Sequence, residues 1–214
     1  DTIVAIHYVD GLDLTRRSDI FWHPKSDVDP SRVLLYFDTA SRSRLGAPNE
    51  IVTQIEKLGM KWIFIKNEAT WHYNYPIWDP KSTNTLLLDQ WRLETEGLDH
   101  HPPLAKWLTK QVEFLLKEVG YWLSFYGNFN IKVLLEPDES SLANVIQAIA
   151  LDLHGGIHVG RQRSEDWGLG AIGDHPNHVY FALNRRGGFD AQTKRNRINS
   201  VLVSGFPSKV PHNS

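Results

Sequence analysis

Three carboxylates in this sequence follow apolar runs that are predicted to form strands. Asp38 follows the run at 33–37, Glu68 follows the run at 61–65, and Glu136 follows the run at 131–135. In an open parallel sheet, ligands bind outside the carboxyl ends of the strands. A carboxylate at such a position can accept a proton from a substrate hydroxyl. We therefore predict that these three residues lie along one edge of a sheet and are the candidate catalytic groups.

The densest signal for anion binding is the segment 155–166. Glycines flank a very short apolar run, and Arg161, Arg163 and Ser164 follow it. The guanidinium fork suits phosphate or carboxylate, and a serine hydroxyl adds a further hydrogen bond. The alternative is an ordinary turn in which these arginines pair with the acidic residues at 165 and 166. Both interpretations stay open. Asn184, which follows the run at 178–183, is a further candidate contact to substrate.

An aromatic segment, WHYNYPIWD, occupies residues 71–79. Aromatic ring faces beside polar side chains suit a sugar, whose C–H faces stack on the rings while its hydroxyls form hydrogen bonds. Trp71 and Tyr73 are the candidate sugar contacts. The alternative is that the rings seal a loop onto the core, as large aromatic side chains commonly do.

Composition and motifs exclude several classes of protein. Cysteine is absent, so disulfides, thiolate catalysis and Cys-ligated zinc are excluded. There is no GxGxxG after the first apolar run, no GxxxxGK[ST] and no GxSxG, which disfavours nicotinamide dehydrogenases, P-loop enzymes and α/β-hydrolases. The ten histidines match no metal-binding spacing. We therefore predict neither a metal site nor a cofactor.

Charge and hydropathy limit the partners of the chain. Lys and Arg number 23 and Asp and Glu 25, so the net charge of −2 provides no general basic surface for nucleic acid. No uncharged run approaches the roughly 18 residues that a membrane-spanning helix needs. The first residues show no charged region followed by a long apolar one, so we do not expect a signal peptide in this sequence. The composition predicts a chain without a transmembrane segment and without a nucleic-acid partner.

The elements that must position the candidate residues alternate along the chain. Short runs rich in β-branched residues are followed by amphipathic stretches, which is the pattern of βαβ units. Strands are predicted at 3–8, 33–37, 61–65, 131–135, 157–160, 178–183 and 200–203, and helices at 48–58, near 86–94, and at 102–127, 141–153 and 189–198. This order predicts an α/β fold, doubly wound, with a mostly parallel Rossmann-like sheet and helices on both faces, spanning residues 1–214 as a single domain.

Helical periodicity also predicts which side chains are buried. In the long helix from residue 102, the predicted core stripe contains Trp107, Leu115, Val119 and Trp122. In the helix at 141–153, the predicted buried face contains Leu142, Val145, Ile146, Ile149 and Leu153.

Three segments together resemble a known group of proteins. They are residues 11–22 (GLDLTRRSDIFW), 32–37 (RVLLYF) and 148–164 (AIALDLHGGIHVGRQRS). They look like bacterial proteins of surface-carbohydrate biosynthesis (polysaccharide or lipopolysaccharide), which are similar to glycosyltransferases of the GT-B type. A GT-B enzyme has two Rossmann-like domains with the active site between them.

The resemblance implies that residues 1–214 are the amino-terminal, acceptor-binding half of such an enzyme, with the second domain outside this chain. The partners would be a sugar acceptor and a nucleotide sugar, the reaction would be transfer of a hexosyl or related sugar, and no metal would be required. The protein would work in the cytoplasm, free or at the inner face of the membrane. In this reaction Asp38, Glu68 and Glu136 are the candidate bases, and Arg161 and Arg163 would hold the departing diphosphate.

Two alternatives remain open at this point. The chain could be a non-catalytic α/β domain that binds a carbohydrate or a nucleotide, or that mediates assembly. It could also be a small-molecule hydrolase, such as a phosphoesterase, that uses Asp38.

Overall fold

Within the part of the chain that the structure describes, the fold is built on one parallel sheet of eight strands. The computed structural model describes residues 1–9, 11–15, 18–20, 22–38, 48–65, 77–78, 80, 102–136, 142–161, 177–182 and 199–203. The strands are β1 (Ile3–His7), β2 (Val33–Phe37), β3 (Lys61–Ile65), β4 (Ile77–Trp78), β5 (Ile131–Glu136), β6 (Ile157–Arg161), β7 (Val179–Ala182) and β8 (Ser200–Val203). The helices of the described residues are α1 (Pro48–Lys57), α2 (Pro102–Phe129) and α3 (Leu142–Leu153), with short 3₁₀ turns at His23–Lys25 and Pro30–Arg32.

The strand order is β4-β3-β2-β1-β5-β6-β7-β8, and neighbouring strands pair in parallel. The chain therefore moves outward from β1 to β4, returns to the other side of β1 with β5, and moves outward again to β8. The point between β1 and β5 is the topological switch point, where open α/β sheets commonly bind ligands. The prediction of an α/β doubly wound, Rossmann-like fold is confirmed.

Two hydrophobic cores lie on opposite faces of the sheet, which explains why the central strands are apolar without alternation. Every residue of β2 is buried. On one face, Ala5, Leu34 and Leu134 pack against α2 and α3 through Val119, Trp122, Phe125, Ile146 and Leu151. On the other face, Ile6, Leu35, Phe37 and Phe64 pack against Ile55 of α1.

The structure corrects the predicted burial of α2. Val119 and Trp122 are buried, and Leu115 packs against the core, but the side chain of Trp107 is 57% exposed. The prediction for Trp107 is wrong because α2, at 28 residues, is much longer than the strands that it covers.

The buried face of α3 is also different from the predicted one. Leu142, Ile149 and Leu153 are exposed, whereas Ile146 is buried together with Asn144, Gln147, Ala148, Ala150 and Leu151. The sequence LANVIQAIALDL is apolar around most of the helix, so its periodicity does not select a single face.

A short strand that the sequence pattern did not predict, β4, lies at one edge of the sheet. The ring of its Trp78 packs against Tyr121, Phe125 and Phe129 of α2. Trp78 therefore seals its segment onto the core, as the alternative for the aromatic segment proposed. Trp71 and Tyr73, like the helices predicted near 86–94 and at 189–198, lie outside the described residues.

Within the described residues, none of the helices has both the length and the apolar character required to span a bilayer.

Candidate functional site

Three titratable side chains meet at the carboxyl ends of three neighbouring strands. His7 is the last residue of β1, Asp38 directly follows β2, and Glu136 is the last residue of β5. The order β2-β1-β5 places His7 between the two carboxylates, directly at the switch point. Parallel pairing brings these strand ends to the same edge of the sheet, because all three strands point the same way.

The imidazole of His7 contacts both carboxylates. Its Nδ1 lies 2.9 Å from Oε1 of Glu136, and its Nε2 lies 2.9 Å from Oδ1 of Asp38. These distances are typical of charge-assisted hydrogen bonds. Hydrogen bonds thus connect the three side chains in the order Asp38–His7–Glu136, and we call this group the Asp38–His7–Glu136 network.

Tyr36, on the neighbouring strand β2, contacts two members of the Asp38–His7–Glu136 network. Its hydroxyl donates a hydrogen bond to Oε2 of Glu136 at 3.0 Å. Its ring stacks on the His7 imidazole, with centroids 4.9 Å apart and planes 4° from parallel. The Tyr36 ring is itself packed edge-on against Trp122 and Phe125 of α2. The long helix therefore fixes the position of the ring that supports the site.

The surroundings favour a protonated His7. Burial alone lowers the pKa of His7, but the charge of Glu136 and hydrogen bonds to Asp38 and Glu136 outweigh burial and raise this pKa well above its ordinary value. With both ring nitrogens protonated, the imidazolium donates to both carboxylates. Burial, together with the charge of Glu136, raises the pKa of Tyr36 well above its usual value, so its hydroxyl remains a donor.

Solvent reaches the three groups to different degrees. The side chain of Glu136 is 1% exposed, that of His7 is 6% exposed and that of Asp38 is 18% exposed. Glu136 also has both carboxylate oxygens engaged, by His7 and by Tyr36. Asp38 is therefore the member of the network that a substrate can contact, and His7 and Glu136 lie behind it.

A loop between β1 and β2 lies at the same edge. The Oδ2 of Asp19 accepts hydrogen bonds from the backbone N–H groups of Val9, at 2.7 Å, and Gly11, at 3.2 Å. At the end of β6, Nη1 of Arg161 donates to the carbonyl of Ser18 at 3.3 Å. Arg161 thus connects β6 to this loop across the carboxyl edge.

A second buried histidine lies on β6. His158 Nδ1 hydrogen-bonds Oδ1 of Asn177, and its backbone N–H donates to Nδ1 of His178 at 3.0 Å. Burial lowers the pKa of His158 to about 4, although the charge of Glu136 and the Asn177 hydrogen bond partly oppose this effect. His158 is therefore neutral at neutral pH, unlike His7.

Of the site residues predicted from the sequence, Asp38, Glu136 and Arg161 lie at the carboxyl edge, and the first two are bridged by His7. The remaining candidates lie outside the described residues: Glu68, Trp71, Tyr73, Arg163, Ser164 and Asn184. The anion-binding role of Arg161 and Arg163 stays a prediction.

Sequence reasoning missed His7 and Tyr36. Both lie inside apolar runs that were interpreted as strands, 3–8 and 33–37. The available signal was a titratable residue within an otherwise apolar strand, next to its carboxyl end.

The arrangement suits proton transfer to or from a bound substrate. The buried carboxylate of Glu136 anchors an imidazolium, which in turn holds the outer carboxylate of Asp38, so Asp38 is the group placed to take a proton from a substrate. Among the described residues, no group of three or more His, Cys, Asp or Glu side chains is arranged to hold a metal ion.

We expect Tyr36→Phe to destabilise the protein by about 1.5–3 kcal/mol, because it removes a hydrogen bond to a charged acceptor while the ring packing remains. Tyr126→Phe is the matched comparison, since the Tyr126 hydroxyl donates to the neutral carbonyl of Gln147 at 3.2 Å. Its expected cost is about 1 kcal/mol. Urea unfolding followed by circular dichroism measures both costs, and an equal or reversed order would contradict the stronger hydrogen bond expected of Tyr36.

Comparison with known proteins finds no protein-family model that matches this chain, and neither a curated protein nor a solved structure matches it.

Proposed function

We propose that this chain is the acceptor-binding half of a glycosyltransferase of bacterial surface-polysaccharide biosynthesis. The observation that carries the proposal is the Asp38–His7–Glu136 network at the switch point, with the partly exposed carboxylate of Asp38 at its outer end. The resemblance of residues 11–22, 32–37 and 148–164 to proteins of this class supplies the choice of reaction. Under this proposal the protein works in the cytoplasm, at the inner face of the membrane.

In the proposed reaction, Asp38 is the general base. The acceptor hydroxyl gives its proton to the Asp38 carboxylate as its oxygen bonds to the anomeric carbon of the donor sugar. The bond from that carbon to the diphosphate oxygen breaks, and the nucleoside diphosphate leaves with the bonding electrons. His7 is already protonated, so it holds the Asp38 carboxylate in place through Oδ1 instead of taking the proton itself.

Glu136 and Tyr36 act behind the reacting groups. Glu136 anchors the imidazolium from the side opposite Asp38, and its negative charge keeps the ring protonated. Tyr36 restrains the second oxygen of Glu136 and stacks on the ring of His7. These two residues are positioning residues, because burial keeps them away from substrate. Arg161 supports the loop beside the site through the carbonyl of Ser18.

The test is a transfer assay, with a panel of nucleotide sugars and glycan acceptors, on a protein in which this chain is joined to the donor-binding half that the proposal requires. We expect Asp38→Asn to lower the rate of transfer by about 100-fold or more, since a positioned general base typically contributes this much. The asparagine keeps the size of the side chain and an oxygen for the hydrogen bond from His7, so the fold should remain intact.

Asp152→Asn is the matched control. Asp152 also hydrogen-bonds a histidine, with Oδ1 at 3.2 Å from Nε2 of His178, but it lies near the carboxyl end of α3, at the opposite edge of the sheet. This variant should transfer sugar at the rate of the unmodified chain. Equal rates for Asp38→Asn and the unmodified chain would reject Asp38 as the base. Saturable sugar binding without turnover would favour the non-catalytic binding domain, and release of inorganic phosphate from a phosphate ester would favour the hydrolase.

A further inference from the structure

The amino-terminal half of α2 extends beyond the sheet. A helix of 28 residues is about 42 Å long, whereas strands of five or six residues span about 17–20 Å. A single residue, Asn130, in the left-handed conformation (φ 52°), joins the end of α2 to β5 at the amino edge of the sheet. Trp122 already contacts Tyr36, near the carboxyl edge. Residues 102–118 therefore continue for about 25 Å beyond Tyr36, on the side of the sheet where the candidate site lies.

This projecting half contains no fully buried residue among positions 103–118. Instead it exposes three large apolar side chains: Leu104 is 54% exposed, Phe114 is 50% exposed and Trp107 is 57% exposed. Trp107 and Phe114 are seven residues apart, which places them two turns apart on one side of the helix. Isolated exposed apolar residues are ordinary, but an exposed row that includes two aromatic rings marks an interaction surface.

Three exposed lysines accompany this row. Lys110 lies three residues after Trp107 and four before Phe114, and Lys117 lies three residues after Phe114, so these side chains share one stripe of the helix. Lys106 lies one turn before Lys110. Aromatic rings interleaved with lysines are typical of helices that lie in the interface of a membrane, because the rings enter the headgroup region while the ammonium groups remain at the phosphates.

We propose that residues 102–118 of α2 dock onto the surface of a lipid bilayer that contains anionic headgroups. The helix would lie in the plane of the interface, with Leu104, Trp107 and Phe114 inserted and the three lysines at the phosphates. Glu113 and Glu118 leave a single net positive charge on this segment. The apolar side chains therefore provide most of the binding, and the lysines provide the preference for anionic lipid.

Charge also argues against a second copy of the chain as the occupant. A symmetric dimer brings the same patch of both copies together. It would bring the surfaces that carry Lys106, Lys110 and Lys117 in the two copies against each other, and like charges at a desolvated interface are unfavourable. An anionic bilayer instead complements both the apolar row and the lysines.

The proposal does not depend on sugar transfer, but it has a consequence for the site. The projecting half leaves the sheet at the carboxyl edge, where Asp38 is partly exposed. Docking would bring this edge close to the lipid surface, where an acceptor anchored in the bilayer would be presented.

The test is co-sedimentation of the full chain with vesicles of phosphatidylcholine alone and of phosphatidylcholine mixed with phosphatidylglycerol in equal parts. We expect binding to the mixed vesicles, and we expect the double variant Trp107→Ser, Phe114→Ser to weaken it at least about tenfold. The triple variant Lys106→Gln, Lys110→Gln, Lys117→Gln should abolish the difference between the two kinds of vesicle. All of these positions are exposed, so circular dichroism should show that the variants remain folded.

Leu153→Ser is the matched control, because Leu153 on α3 is 54% exposed, as Leu104 is, but lies outside the projecting half. It should leave vesicle binding unchanged. Failure of the unmodified chain to sediment with mixed vesicles, or equal losses in the control and the double variant, would overturn the proposal. So would a dimer in size-exclusion chromatography that dissociates in the double variant. Asp38→Asn should bind vesicles like the unmodified chain, so failure of the proposed sugar transfer and failure of membrane docking are distinguishable.

Discussion

Trp122→Ala is expected to lower the free energy of unfolding by about 3–5 kcal/mol, the range typical of removing a large buried aromatic side chain. Trp122 is buried in the core between α2 and the sheet, and its ring contacts Tyr36, Phe125 and Tyr126 edge-on or tilted. Alanine would leave a cavity beside Tyr36, so we also expect the contacts of Glu136 and His7 to loosen. Urea unfolding followed by far-UV circular dichroism measures the loss.

Trp107→Ala is the control on the same helix. Because more than half of the Trp107 side chain is exposed, its removal should change the free energy of unfolding by no more than about 0.5 kcal/mol. Comparable losses at the two positions would contradict the finding that Trp122 lies in the core whereas Trp107 is exposed.

Acid is expected to weaken the fold through His158. The pKa of His158 is lowered by burial to about 4, from an ordinary value near 6.5, so the folded protein favours the neutral ring. Its contribution to stability is complete above pH 6.5 and is lost as the pH falls from 6.5 to 4, because the unfolded chain takes up the proton first. A shift of this size corresponds to about 3 kcal/mol. The measurement is the difference in free energy of unfolding between the unmodified chain and His158→Gln, which should shrink by this amount between pH 7 and pH 4.

The contribution of His7 to stability is expected to depend on pH in the direction opposite to that of His158. The charge of Glu136 and the hydrogen bonds to Asp38 and Glu136 raise the pKa of His7 in spite of its burial. Its contribution is therefore complete below pH 6.5 and is lost as the pH rises through the raised pKa. The stability difference between the unmodified chain and His7→Gln should shrink toward alkaline pH, in the direction opposite to His158→Gln. The same direction for both variants would show that the two histidines do not have opposite charge states in the folded protein.

The candidate site could be predicted only in part from the sequence. Asp38 and Glu136 follow apolar runs, and parallel strands bring such positions to one edge, so these residues could be expected near each other. His7 and Glu136 are 129 residues apart, and nothing local indicates that they form a hydrogen bond. Their contact exists because β5 pairs with β1 after the chain has crossed the sheet, which places the ends of these two strands side by side.

Local sequence determined the strands and the class of fold. Runs such as VLLYF are apolar at every position, so they are stable only when both faces are covered, and this requires a parallel sheet between layers of helices. The two-residue strand β4 is too short for any periodicity, and its place depends on the packing of Trp78 against α2.

Only the tertiary structure decided which parts of the helices are buried. In α2, the apolar stripe is longer than the sheet beneath it, so Trp122 is buried and Trp107 is exposed although both positions fit the same periodicity. In α3, apolar side chains occur around most of the helix, and packing against α2 and the sheet selected Ile146, Ala150 and Leu151 over Leu142 and Leu153. The physical reason is that periodicity describes the helix alone, whereas burial also depends on the length and position of the surface against which the helix packs.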